Sequence, residues 1–242
     1  VVHVEQYEGV YHIPDANKDL RGLMLALHGC SHSAGDWSDR DSSNDCPTCL
    51  ALPEEMHIVR AALERGYAVL ALSSQNRRSK CWDAAREPDL VAKASLEFIR
   101  TYLHVPAPET FPVTALGVSS GGALAAKLPL SASSLSSSSE ASGRMSLVAI
   151  CTQVAHLSAS AVQELRSSHP AAVAVYMESP RISVDEVLAL REEHGVDAMT
   201  IQAQKLPLSP LFFSQRIQEM SPKLSHELFA AFQRSGLLDE NH

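Results

Sequence analysis

The sequence predicts an α/β protein, a mostly parallel sheet covered by helices on both faces. Three observations carry this expectation. Continuous apolar runs recur at 22–28, 67–73, 111–118, 147–152, 171–177 and 197–204, the form of strands buried on both faces. The segments between several of them have helical spacing and helix start and stop residues. Alternation of strand and helix needs crossover connections and therefore a parallel sheet.

Taken in order, "GVYHIP" (9–14) and the residues before it read as a leading pair of strands. "GLMLALHG" (22–29) is an apolar strand ending in glycine. "PEEMHIVRAALERG" (53–66) opens on Pro53 and two glutamates and stops at Gly66, with Met56, Val59 and Leu63 as its inner stripe. "YAVLALSS" (67–74) is the next strand, followed by a helix marked by Ala92, Leu96, Ile99 and Leu103. "FPVTALGV" (111–118) leads into "SGGALAAKL", a strand delivering a serine to a helix. "LVAICT" and "AAVAVYM" are further strands, and a helix with a capping box at Ser183 and Glu186 precedes "DAMTIQAQ" (197–204). A last helix is expected from about Lys223 to Ser235, with Leu224, Leu228 and Phe232 as its apolar stripe and His226 facing solvent.

At 242 residues the chain is read as one domain, 1–242. Within it, 130–145 is a mobile surface insertion, because eight of the residues from Ser131 to Ser139 are serine or alanine and bury little. Hydrophobic residues make up 45% and charged residues 20%, the balance of a globular protein. A net charge of −8 argues against nucleic acid as a partner. No apolar run approaches the roughly 18–20 residues that cross a bilayer. The sequence starts at Val1, which predicts a trimmed chain and leaves the compartment open between cytoplasmic and secretory.

Gly117-Val118-Ser119-Ser120-Gly121 fits G-x-S-x-G at the junction of strand and helix. A turn that sharp requires tiny neighbours, and it lifts the serine hydroxyl clear of the sheet as a nucleophile. "LALHGCSHSAGDW" (25–37) places His28-Gly29 at the end of an earlier strand. An HG pair there resembles the oxyanion loop of esterases and lipases, whose amide joins that of the residue after the nucleophile. The implied donors are the N–H groups of Cys30 or Ser31 and of Ser120.

With these motifs the chain resembles the α/β-hydrolases over nearly its whole length. "LHGC" is similar to the polyhydroxybutyrate-depolymerase and feruloyl-esterase branch. "HGCSHSAGDW", "CPTCLALPEE" and "PLSPLFFSQRI" look more like a group of plant and algal α/β-hydrolase-like proteins. The resemblance implies a triad acid just after a late strand and a histidine in the loop after the last one. Glu178, at the end of 171–177, is the expected acid. The loop 205–217 contains no histidine, so the expected base is His32 in the oxyanion loop or His226 on the final helix, with His156 a third position near the rim. His28 is expected to hold the loop.

Cys30, Cys46, Cys49 and Cys81 are read as two disulfides (Cys30–Cys81 and Cys46–Cys49), as a zinc site or as free thiols, with Cys151 buried and unpaired. Arg77, with Arg78 and Lys80, is a candidate clamp for a ligand carboxylate or phosphate, and Trp82 and Trp37 flank that region. Together these residues predict a serine hydrolase of carboxylesterase type, with no cofactor, acting on a small-molecule ester or acidic ligand. The alternative is a non-catalytic member of the fold, as the gibberellin receptor is, that binds a ligand instead.

Overall fold

The computed structural model describes residues 1–39, 46–128, 145–155, 172–177, 191–193, 195–203, 207–217 and 219–238. Outside them lie the serine-rich 130–144, His156, Glu178 and the capping box at Ser183 and Glu186. The chain forms two compact units, Val1–Ala203 and Gln204–His242.

The first unit is built on an eight-stranded sheet: β1 (Val2–Val4), β2 (Tyr7–His12), β3 (Gly22–Leu27), β4 (Tyr67–Leu72), β5 (Val113–Val118), β6 (Leu147–Gln153), β7 (Ala172–Met177) and β8 (Ala198–Gln202). The spatial order is β1-β2-β4-β3-β5-β6-β7-β8. The β1–β2 and β2–β4 pairs are antiparallel, and every pair from β4 through β8 is parallel. The expected mostly parallel sheet is therefore present, with its leading strand pair.

Period-two alternation decides which helix covers which face. Leu23, Leu25 and Leu27 of β3 and Ala68, Leu70 and Leu72 of β4 belong to one core cluster, which helix α2 (Pro88–Thr101) closes with Val91, Phe98 and Ile99. Met24, Ala26, Val69 and Ala71 point the other way, where helix α1 (Pro53–Glu64) covers them with Met56, Val59 and Ala62. Each such large apolar side chain contributes about 2 kcal/mol by leaving water. Because β3 is buried along its whole length, the residues at its carboxyl end are held rigidly.

Three boundaries differ from expectation, each for a local reason. β5 begins at Val113, not 111, because Pro112 has no N–H to give a ladder; its carbonyl instead accepts from Leu23 N at 2.8 Å. On α1 the third buried position is Ala62, and Leu63 is half-buried. Leu103 lies past the end of α2, where it packs against the core from a turn. Gly66 ends α1 as expected, with φ of 81°.

The second unit contains helices α4 (Phe212–Arg216) and α5 (Pro222–Arg234). Ser221 caps α5 by accepting from Leu224 N at 3.2 Å. The buried positions of α5 are Ser225 and Phe229, while Leu224 is 50% exposed, so the inner stripe is displaced from the expected Leu224, Leu228 and Phe232. The Ser225 hydroxyl donates to Pro210 O at 2.7 Å and accepts from Ser214 N at 3.3 Å. A satisfied serine is buried without cost, which a hydropathy stripe does not register.

Candidate functional site

β5 enters α3 (Ser120–Ala125) through one residue, Ser119, whose backbone has φ 52° and ψ −114°. Non-glycine residues rarely occupy that region, and holding one there costs about 1–3 kcal/mol. The surroundings impose it. A Cβ on Gly117 would stand 2.1 Å from Gly121 O, and one on Gly121 would stand 2.2 Å from Leu27 O. Helix α3 therefore sits directly against β5 and the end of β3. Ser119 itself is exposed at the carboxyl edge of the sheet, and its N–H is tied to Gln153 O at 2.8 Å.

The loop after β3 closes on this turn. A Cβ on Gly29 would meet Ser119 Cβ at 3.5 Å, so the Gly29 backbone lies beside the serine. His28 is buried and fixes the loop from within. Its Nε2 accepts from Ser74 N at 3.0 Å, which leaves Nδ1 protonated to donate to Gly29 O at 2.7 Å. Burial pushes this imidazole below its usual pKa, so it is held neutral in that tautomer. The expected structural role of His28 is what these bonds describe.

Backbone N–H groups near Ser119 divide clearly. Ser31 donates its N–H to Ser79 O at 3.1 Å. The amides of Cys30 and Ser120 have no acceptor among the described residues.

The segment between β4 and α2 is bound to the β3 loop at several points. Cys30 and Cys81 form a disulfide with Cα atoms 4.2 Å apart. Cys46 and Cys49 form the second. Of the three readings of these cysteines, the structure takes two disulfides, and sulfurs so paired are not thiolate ligands for zinc. Cys151 is unpaired but half-buried, not buried as expected, because β6 is less covered than β3. Its partial burial still pushes the thiol pKa upward.

Trp82 is 6% exposed, and its indole N–H donates to His28 O at 3.0 Å. Its backbone N–H donates to Ser120 Oγ at 3.4 Å. These contacts hold Trp82 beneath the loop that carries His28 and beside Ser120. Trp37 is equally enclosed, at 1% exposure. Arg77 reaches Glu8 across the surface at 3.2 Å with both side chains largely exposed, a pair of little energetic weight. Arg78 and Lys80 are exposed on the same loop.

Two carboxylates here were not singled out from the sequence. Glu87, 3% exposed, accepts from Asp83 N at 2.6 Å, Gln75 N at 3.1 Å and the Tyr7 hydroxyl at 3.3 Å, and so anchors both ends of the Cys81–Trp82 segment. Burial, and then the Glu87 carboxylate, hold the Tyr7 phenol well above its usual pKa range. Asp36, in the short 3-10 helix Ala34–Trp37, is 3% exposed and accepts from His32 Nδ1 at 2.6 Å. The i,i+4 spacing of His32 and Asp36 was the available signal, but it is informative only once the turn between them is known.

His32 is exposed on the loop beside Ser119, and His226 is exposed on α5 of the second unit. Among the described residues no side chain hydrogen-bonds the Ser119 hydroxyl.

The strand order, with antiparallel pairing confined to its β1–β2–β4 end and a serine-bearing turn after β5, defines an α/β-hydrolase fold. No family model and no curated protein matches the chain. Among solved structures it is similar to an esterase from Pyrococcus furiosus (13% identity, 96% of this chain and 93% of that one, TM-score 0.49). It is also similar to the esterase domain of a Rhodothermus marinus protein (13% identity, 93% and 91%, TM-score 0.47). A third is acyl-protein thioesterase 2 of Zea mays (13% identity, 92% and 99%, TM-score 0.45).

The Cys30–Cys81 bond closes a long loop, with 51 residues of separation, against 3 for Cys46–Cys49. The chain-entropy treatment assigns about 4 kcal/mol to the first and about 2 kcal/mol to the second. Denaturant unfolding of Cys30→Ser/Cys81→Ser and of Cys46→Ser/Cys49→Ser is expected to show the larger loss in the first double variant.

Proposed function

We propose that this protein is a serine hydrolase of the carboxylesterase type, with Ser119 as its nucleophile on an elbow between β5 and α3. The observation that carries the reading is the backbone of Ser119, held at φ 52° with its side chain exposed beside Gly29. Strain at an exposed serine between strand and helix, enforced by glycines that permit no relaxation, is the arrangement an acyl-transfer nucleophile needs. The N–H groups of Cys30 and Ser120, without an acceptor among the described residues, are the candidate oxyanion donors. They would stabilise the negative charge that develops on the carbonyl oxygen, usually the largest electrostatic contribution to such a reaction. The Ser31 amide, already donating to Ser79 O, is the weaker candidate.

The proposed substrate class is a small-molecule ester or acidic ligand, with Arg77, beside Arg78 and Lys80, as the proposed clamp for an acidic group. Glu178 remains the proposed acid, and His32 and His226 the proposed bases. A second reading, a ligand-binding member of the fold, is favoured by one observation: among the described residues no imidazole bonds the Ser119 hydroxyl.

An activated-serine probe tests the choice. A fluorophosphonate is expected to label the wild-type protein at Ser119 and to leave Ser119→Ala unlabelled. Equal, background labelling of both proteins would reject the hydrolase and leave the ligand-binding reading.

A further inference from the structure

The geometry points to His32, oriented by Asp36, as the general base for Ser119, so that base and oxyanion donor share one loop. This inference rests on the hydrolase reading above.

The His32–Asp36 pair has the form that a base requires. Nδ1 donates to Asp36 Oδ2 at 2.6 Å, so the neutral ring carries its lone pair on Nε2. The carboxylate is 4% exposed and the imidazole 50% exposed: the orienting group is fixed and the basic nitrogen is accessible. Asp36 is held in turn by its place in the 3-10 helix and by Ser33 N, which donates to Oδ2 at 3.3 Å. Among the described residues no second ion pair or hydrogen bond engages Nε2.

Position follows from two contacts. The Gly29 backbone lies beside Ser119, and His32 N donates to Gly29 O at 3.3 Å. A turn closed that way keeps its end Cα atoms within about 7 Å. His32 is thus one tight turn from Gly29, the residue beside Ser119, and its ring is exposed on that loop. No hydrogen bond between His32 and Ser119 Oγ occurs among the described residues; catalytic hydrogen bonds commonly tighten only when substrate is bound.

The chemistry balances with these groups alone. As Ser119 Oγ bonds to the ester carbon, its proton passes to His32 Nε2. The C–O bond to the alcohol then breaks, and that proton leaves with the alcohol. Water attacks the acyl carbon and gives a proton to Nε2. The Oγ–C bond breaks, the acid departs, and the proton returns to Ser119. Asp36 is a positioning residue throughout. Among the described residues, the titratable groups that interact electrostatically with the imidazole are Asp36 on its own turn, Glu55 on α1 and His28 at the end of β3. Burial, with Asp36 nearby, pushes the Glu55 carboxyl upward, and burial keeps His28 neutral.

The experiment is the rate of fluorophosphonate labelling as a function of pH. His32→Ala removes an exposed ring and is expected to retain the fold while lowering the rate by about 10²–10⁴-fold. The rise of wild-type labelling with pH should disappear in this variant, and added imidazole should restore part of the rate. Asp36→Asn is expected to slow labelling and alter the pH profile; a purely structural role would change stability but not the profile. Labelling at the wild-type rate in His32→Ala, with Ser119→Ala inert, overturns the assignment while the hydrolase stands. Collapse in His226→Ala with His32→Ala unaffected overturns it as well and transfers the role to His226. Failure of the wild-type protein to label removes both the hydrolase reading and this inference.

Discussion

Gly121→Ala is expected to prevent stable folding. Its Cβ would stand 2.2 Å from Leu27 O and 2.6 Å from His28 O, both backbone atoms at the end of the most deeply buried strand. Neither can move without breaking β3 from its neighbours, and no rotamer change relieves a clash with a carbonyl. Helix α3 would have to lift from the sheet, opening the core around Leu124 and Ala125. Overpacking typically costs about 1–3 kcal/mol where side chains absorb it. Here the loss should exceed about 4 kcal/mol, in the range reserved for a named structural failure. Soluble yield and urea unfolding measure it. Gly29→Ala is the contrast: its Cβ would meet Ser119 Cβ at 3.5 Å, an ordinary contact. That variant should fold and present a methyl group against Ser119, slowing any labelling there. A Gly121→Ala protein as stable as wild type would mean that α3 does not press on β3.

Ser119→Gly separates stability from chemistry. Glycine reaches φ 52° and ψ −114° without the clash that serine accepts there, which relieves about 1–3 kcal/mol of strain. Its greater freedom in the unfolded chain returns about 0.5–1 kcal/mol. The net expectation is a gain of about 1 kcal/mol in urea unfolding, together with complete loss of fluorophosphonate labelling and ester turnover. No other atom at that position can form the acyl bond. Backbone strain retained at an exposed serine is what the proposed nucleophilic role would account for. A Ser119→Gly protein that is less stable than wild type would show that the serine side chain is there for packing.

The architecture was legible because it is written in short-range patterns. Residues 22–27 and 67–72 are short apolar runs of strand length, the form of a strand covered on both faces, and Gly66 marks where α1 must stop. The serine turn was legible for a related reason: Gly117, Gly121 and Gly122 cluster where backbone meets backbone. Trp82 and Asp36 show the limit. Trp82 reads only as an aromatic flanking a basic loop; its burial in the core, with the indole N–H donating to His28 O 54 residues away, is a tertiary outcome. Asp36 reads as one acidic residue among many in 36–45, and only the turn Ala34–Trp37 aims it at His32.

What the sequence by itself determined is the parallel sheet, its two covered faces and the exposed serine at the end of β5. Periodicity and glycine placement are local and need no knowledge of distant contacts. Tertiary structure alone decided how the cysteines pair, which amides stay free and which carboxylate meets which imidazole. Those outcomes depend on where β3 and β4 end relative to one another, and their register is a property of the sheet, not of either strand. Cys30 and Cys81 follow neighbouring parallel strands, so the sheet brings their Cα atoms to 4.2 Å and fastens the loop that carries His28, Cys30 and His32.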